Sequence, residues 1–247
     1  MNVYVINLAT AVIRKKYVEE CLAPYRDFFN VHFVEAVDGR GLSCNQLAEM
    51  WNQKETYKVY GRYMKGGEVG CALSHRKCYE EILKNGDDVA LIIEDDMSFL
   101  NFDVKSVILN IEKILVNDNP AITLLFGDYW YTSKRIVLNE TFELVKVHDA
   151  IMSTAYLINH KAAKNLLNVP YKYLSDDWYN LKKNGGIALY AVHPHIIDTS
   201  SFETEISGDG YIGTVRGNLT FFRKICSYYR AIIKRILGRF GYFEKRG

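Results

Sequence analysis

Val89-Ala90-Leu91-Ile92-Ile93-Glu94-Asp95-Asp96 decides the reading of this chain. Five consecutive apolar, mostly branched residues predict a strand buried on both faces, as in the interior of a largely parallel sheet. Three carboxylates follow where the strand leaves the sheet. Carboxylates this close oppose one another's ionisation, and a shared cation relieves them. Ligands of open α/β sheets bind outside the carboxyl ends of the strands. The triplet is therefore expected to hold a divalent metal for a phosphate-bearing ligand. Side chains alternate along a strand, so Glu94 and Asp96 are expected to face one way as the metal pair, and Asp95 the other. Hard oxygen ligands suit Mg²⁺ or Mn²⁺.

Strands and helices alternate around this segment. Residues 2–7 read as a strand, 11–23 as a helix and 31–37 as a second strand ending in Asp38-Gly39. Residues 42–60 read as short helical pieces. Val69, Ala72, Leu73, Tyr79, Ile82 and Leu83 recur near helical spacing and predict a helix over 68–84, closed by Asn85-Gly86. Further on, 104–116 reads as a helix, 121–126 as a strand, 136–147 as a hairpin beside the main sheet and 151–158 as a strand. Helices are expected over 160–168 and 176–184, with a last strand over 187–192. This order predicts an α/β fold, a Rossmann-type single domain with a mixed central sheet.

Composition narrows the class. With 247 residues and 49% hydrophobic content, the chain can bury a large core. The five cysteines form no CxxC pair, so neither a zinc ribbon nor a disulfide framework is expected, and a reducing compartment is. Nothing at the start reads as a secretory signal, and no stretch reads as a membrane span. No Walker motif or GxGxxG occurs, which leaves NTPase and dinucleotide oxidoreductase readings without support. Nor does the mildly acidic body, with 22 basic against 28 acidic side chains before Arg216, favour a nucleic-acid partner. Net charge is +2, but nine of the Lys/Arg residues lie from Arg216 onward against one acid, Glu244. Within 219–240, Phe221, Phe222, Ile225, Tyr229, Ile232, Ile233, Ile236, Leu237 and Phe240 are read as one helical face, while Arg223, Lys224, Arg230, Lys234 and Arg235 fall largely opposite. This C-terminal basic amphipathic helix is expected to lie on an anionic membrane surface or to pack on the core or a partner. The division expected is a catalytic domain over 1–213 and a tail over 214–247, with a loop over the ligand at 199–213.

Several segments in order resemble glycosyltransferase family 25, of the lipooligosaccharide-biosynthesis type. They are Val5-Ile6-Asn7-Leu8 with Arg14, Val34-Glu35-Ala36-Val37-Asp38-Gly39, Gly67-Glu68-Val69-Gly70-Cys71-Ala72-Leu73-Ser74-His75, Ile93-Glu94-Asp95-Asp96-Met97 and Ser153-Thr154-Ala155-Tyr156-Leu157-Ile158. Asp177-Trp178 and Pro194 match more loosely. The resemblance spans about residues 2–200 and leaves out the basic tail. It implies a GT-A-like fold and a UDP-sugar donor. It further implies transfer of galactose or glucose with inversion. The expected acceptor is a glycan, such as lipooligosaccharide or a lipid-linked oligosaccharide, and the basic tail is expected to hold the enzyme at the inner face of the cell membrane.

On that reading Glu94 and Asp96 hold the metal, and Asp95, Ser74 and His75 line the nucleotide site. Arg14 contacts the diphosphate or is a surface charge. Asn7, Leu8 and Asp38 sit at strand ends where uridine is expected, although Asp38-Gly39 also reads as turn chemistry. His75 reaches the nucleotide, orients a carboxylate or is a satisfied buried histidine. His193 or His195 could complete the metal shell. An inverting transfer needs a base, for which Asp177 is the first candidate and Asp176 the rival; both sit where an ordinary helix cap would. Two other classes stay open: a carbohydrate-binding or scaffold module with a decayed site, and a metal-dependent phosphohydrolase or nucleotidyltransferase.

Overall fold

The computed structural model describes residues 1–100, 102–116, 119–200 and 221–245. Residues 201–213 of the expected 199–213 loop and the expected boundary at 213/214 lie outside these residues. Three parallel strands form one flank of a nine-stranded mixed sheet: β2 (Asn30–Glu35) at the edge, β1 (Asn2–Asn7) beside it, then β3 (Val89–Glu94). The next strand, β8 (Ala155–Asn159), runs antiparallel between β3 and β5 (Ala121–Leu124), and β9 (Ala188–His193) lies parallel to β5. A long hairpin, β6 (Asp128–Val137) and β7 (Glu143–Ile151), extends the sheet rather than standing beside it. The far edge is β11 (Phe243–Glu244), paired with β6. A two-stranded ribbon joins β4 (Met97–Phe99) to β10 (Ile197–Thr199).

Helices cover both faces, so β1 and β3 are apolar at successive positions. Val89, Leu91 and Ile93 pack with Val18 and Leu22 of α1 (Val12–Leu22) and with Val107, Ile108 and Ile111 of α5 (Val104–Val116). Ala90 and Ile92 pack on the opposite face with Cys78, Tyr79 and Ile82 of α4 (Gly66–Asn85), and with α6 (His160–Leu167). Two short helices, α2 (Cys44–Met50) and α3 (Gln53–Tyr60), precede α4; α7 (Trp178–Gly185) precedes β9.

The strand read over 151–158 is two elements. Ile151 ends β7, Met152 takes φ = 78°, and β8 begins at Ala155. A positive φ at a residue with a side chain is strained. Close by, a Cβ on Gly127 would meet Ile151 O at 2.6 Å, so only glycine lets the two segments approach.

The C-terminal helix α8 (Phe221–Arg239) forms over the expected residues but faces differently. Arg230 and Lys234, expected on its outer basic face, turn inward. Both engage Asp149 of β7, which is fully buried: Arg230 through Nε at 2.6 Å and NH2 at 2.5 Å, Lys234 through Nζ at 2.7 Å. Arg230 also stacks over Tyr179 at 4.5 Å and Lys234 over Trp130 at 4.0 Å. Burial alone would raise the Asp149 carboxyl, but these cations outweigh it and hold it below the ordinary aspartate range. No described helix is long and apolar enough to cross a membrane.

Candidate functional site

A cleft opens at the carboxyl ends of β1, β2 and β3. Leu8, Arg14, Asp38, Ser74 and all three carboxylates of the triplet line it. Its floor depends on glycines. A Cβ on Gly70 would lie 2.2 Å from Val37 O, and one on Gly66 only 2.0 Å from Gly39 O. The amino end of α4 can therefore press against the Val37–Gly39 segment. Ser74 ties the contact: its hydroxyl accepts from Val37 N at 2.8 Å and donates to Gly70 O at 2.7 Å. That bracing is the role the structure gives Ser74. Glu68 stabilises the start of the helix, accepting from Lys65 N at 2.8 Å and from both guanidinium nitrogens of Arg62 at 2.6–2.7 Å.

Glu94 continues the Ala90–Ile92 side of β3 and so meets α4. Its Oε1 lies 3.3 Å from His75 Nε2 and accepts from Ser153 Oγ at 2.9 Å. His75 is buried, and its Nδ1 lies 2.8 Å from Tyr156 Oη, so of the roles open to it the histidine orients a carboxylate. Burial pushes the Glu94 carboxyl up, but the His75 and Ser153 hydrogen bonds and the Arg14 charge leave it below its ordinary value. Strand alternation fails beyond this point, because β3 stops at Glu94 and the chain turns through Asp95 and Asp96. Asp95 is not turned away from its neighbours: it lines the same cleft, accepting from Asn7 Nδ2 at 2.6 Å and Arg14 NH1 at 2.6 Å. Asn7 and Arg14 are thus fixed by the central carboxylate, and Arg14 is a cleft residue, with NH2 3.5 Å from Asp96 Oδ2.

Asp96 carries the least compensated charge. Its Oδ1 is buried without a hydrogen-bond partner among the described residues. Burial first, then the Glu94 charge, push its carboxyl up to about 6. An orphaned carboxylate oxygen in an acidic cleft fits a hard divalent cation held by Asp96 and Glu94. At the cleft rim, Asp38 pairs with Arg40 at 2.6 Å, which holds its carboxyl down at about 2.

Asp176 and Asp177 differ sharply. Asp177 caps α7, accepting from Asn180 N at 3.3 Å, and its other oxygen takes the Tyr60 hydroxyl at 2.6 Å and Asn180 Nδ2 at 2.7 Å. Arg230 NH1 lies 3.7 Å away. Asp176 is half-buried, and its carboxyl is pushed up to about 6 by burial and then by the Asp177 charge; the Glu94 charge adds to this, and a hydrogen bond from the Met152 backbone opposes it. The strained 152–154 turn therefore serves two carboxylates, Asp176 through Met152 and Glu94 through Ser153. Trp178 anchors the core, donating Nε1–H to Met152 O at 2.7 Å with its ring against Tyr156. His193 and His195 do not join the triplet. Their Nδ1 atoms lie 3.1 and 3.4 Å from the Glu244 carboxylate on β11. Sequence reasoning passed over Cys71 and Ser153 as site residues. Cys71 precedes His75 by one helical turn, and that spacing was the available signal.

The fold and cleft define an α/β protein with an acidic cleft at the ends of its first three strands. The family model described as "Glycosyltransferase family 25 (LPS biosynthesis protein)" matches residues 1–179, and the chain belongs to this family. Procollagen galactosyltransferase 1-B of Xenopus laevis is 28% identical over 179 residues, covering 68% of this chain and 28% of that protein. A glycosyltransferase 25 family member of Aedes aegypti is 27% identical over 244 residues, covering 85% and 37%. A probable inactive glycosyltransferase 25 family member 3 of Rattus norvegicus is 32% identical over 103 residues, covering 40% and 17%. The chain thus spans well under half the length of these relatives.

Proposed function

We propose that this cleft transfers a hexosyl group from a UDP-sugar to a glycan acceptor with inversion. The orphaned, proton-raised Asp96 in a cleft of the family-matched segment carries this reading. A cation bound there would neutralise an anionic leaving group. Galactose is the first choice of sugar, in keeping with the galactosyltransferase among the relatives, and glucose the second. The acceptor is a lipooligosaccharide or lipid-linked glycan, in keeping with the family's description. A Mn²⁺ or Mg²⁺ held by Glu94 and Asp96 would supply charge neutralisation for the diphosphate.

The chain's own groups do the rest. Arg14, held by Asp95, offers the diphosphate a cationic donor at the start of α1. Leu8 and the Asp38 segment flank the nucleoside. His75 and Ser153 hold Glu94 in one orientation, so the carboxylate needs little reorganisation. Asp176 takes the proton from the acceptor hydroxyl as that oxygen bonds to the sugar's anomeric carbon and the UDP oxygen departs. A carboxylate titrating at about 6 is largely ionised at neutral pH, yet more basic than an ordinary aspartate. The reading thus gives the base to Asp176 and the cap to Asp177.

The test is UDP release from a panel of UDP-sugars, with and without acceptor glycan and Mn²⁺. Asp96→Asn should lose metal-dependent release on the order of 100-fold, since several kcal/mol of charge stabilisation depend on the ion. Full activity of that variant would remove the metal role of Asp96. Release that ignores the acceptor would favour a hydrolase.

A further inference from the structure

Cys71 and His75 stand one turn apart on α4, so both side chains point from one helical face toward the end of β3. Cys71 Sγ, a His75 ring nitrogen and a Glu94 carboxylate oxygen all lie within 4.8 Å of one another. We propose that these three residues form a site for a borderline-soft divalent cation, Zn²⁺, distinct in ligand chemistry from the all-oxygen pair Glu94–Asp96. Zinc bonds of about 2.0–2.3 Å set ligand atoms about 3–4 Å apart. The 3.3 Å between His75 Nε2 and Glu94 Oε1 already meets that spacing.

The surroundings are those of a metal site. Ligating histidines are oriented through their other ring nitrogen. His75 Nδ1 lies 2.8 Å from Tyr156 Oη, which is itself 3.0 Å from Tyr79 Oη. Ser153 Oγ fixes Glu94 in the same way. Cys71 and Glu94 both line the cleft, which gives an ion an entry path and leaves a fourth position for water or ligand. Ser175 Oγ, 3.2 Å from Cys71 Sγ, stands at that side. One thiolate, one imidazole and one carboxylate with an open position favour Zn²⁺ over Mg²⁺. Cys44 and Cys226 are exposed, whereas Cys71 alone among the five cysteines belongs to such a group among the described residues.

Co²⁺ is a spectroscopic stand-in for zinc and reads binding without any turnover. The full chain, carrying Cys44→Ser and Cys226→Ser and stripped with a chelator, should bind Co²⁺ at a single sulfur-bearing site. Binding should bring a sulfur-to-cobalt charge-transfer band, and Zn²⁺ should erase it. The band should vanish in Cys71→Ser and persist in Asp96→Asn. In Tyr156→Phe, which removes the hydroxyl behind His75 together with its contact to Tyr79, affinity should fall about 10–100-fold. X-ray absorption of the zinc-loaded parent should show one sulfur at about 2.3 Å, a measurement that does not depend on the variants folding. No cobalt band in the parent, a band that survives Cys71→Ser, a band lost in Asp96→Asn or a zinc shell without sulfur would each overturn the site.

Discussion

Two carboxyls in this protein, Asp96 and Asp176, are pushed up to about 6, and each has a different way out of its discomfort. Asp96 has an unpartnered oxygen facing an acidic cleft, so a cation relieves it. Asp176 has the Met152 backbone and, on the proposed function, an acceptor hydroxyl whose proton it takes. Its raised value has a thermodynamic sign. A carboxyl bound more tightly to its proton when folded costs nothing below the unfolded value near 3.8. It destabilises increasingly from there to about 6, and the full cost persists above. Asp176→Asn removes that cost and keeps an acceptor for Met152 N–H. The variant should therefore be at least as stable as the parent at pH 7.5 and equal to it near pH 4 by thermal unfolding. Its transfer rate should fall about 10²–10⁴-fold, as the loss of a general base implies, with UDP binding intact. A variant that is less stable at pH 7.5 and still active would make Asp176 a structural residue. Asp177→Ala should behave oppositely. It loses a helix cap worth about 1 kcal/mol and leaves the Tyr60 hydroxyl without its acceptor, so stability falls before chemistry does.

At the scale of elements, α8 is seated by ion pairs to Asp149, with part of its apolar stripe left exposed. A buried carboxylate that loses a partner costs about 3–5 kcal/mol. Arg230→Met leaves Asp149 with Lys234 alone, so a loss near the lower end, about 3 kcal/mol, is expected in denaturant unfolding. Asp149→Asn in the same chain should recover part of it, because the uncompensated charge is gone. A change below about 0.5 kcal/mol would mean that α8 is not seated on β7. This docking was not legible in the sequence, since Arg230 and Asp149 are 81 residues apart and neither stands in a local pattern. The helices were legible, because α1, α4 and α5 each bury a face with helical spacing and α4 ends in a left-handed glycine, Gly86 at φ = 70°. The buried strand and the cleft at its end were legible for the same reason: five apolar residues need helices on both faces, and the first polar residue must then lie at the sheet's edge. What failed were features set by single turns and distant pairing. The alternation rule placed Asp95 away from Glu94 and Asp96 because it assumed a strand that in fact stops at Glu94. The run at 151–158 hid the Met152 turn because its residues are apolar on both sides. Strands as short as β4, β10 and β11 carry no periodicity of their own and exist only through their partners.

At the scale of the whole molecule, seating Arg230 and Lys234 inward leaves α8 with a second, outer surface. Ile225, Tyr229 and Ile236 recur at helical spacing and are 50%, 67% and 50% exposed, with Tyr228 and Phe240 beside them at 70% and 71%. Lys224, Arg235 and Arg239 are exposed along the same side, and residues 221–243 contain no acid. An apolar stripe edged by cations, with tyrosines at the margin, suits the headgroup region of an anionic bilayer. On the proposed function it would give reversible attachment at a surface that presents a lipid-linked acceptor. The inward seating sharpens the expectation residue by residue. Each exposed cation contributes about 1 kcal/mol near such a surface, so Arg235→Gln with Arg239→Gln should weaken sedimentation with phosphatidylserine vesicles about 30-fold. The loss should fade as salt rises and the parent's own attraction is screened. Lys224→Gln should add to it. Neutral phosphatidylcholine vesicles should bind parent and variant alike, through the apolar stripe alone. Arg230→Gln should leave vesicle affinity unchanged while lowering stability, because its charge is spent on Asp149. If instead Arg230→Gln weakens vesicle binding as much as the Arg235/Arg239 pair does, the helix leaves its seat at the membrane. Equal sedimentation of the parent and the Arg235/Arg239 variant would remove the lipid surface as the partner of this face.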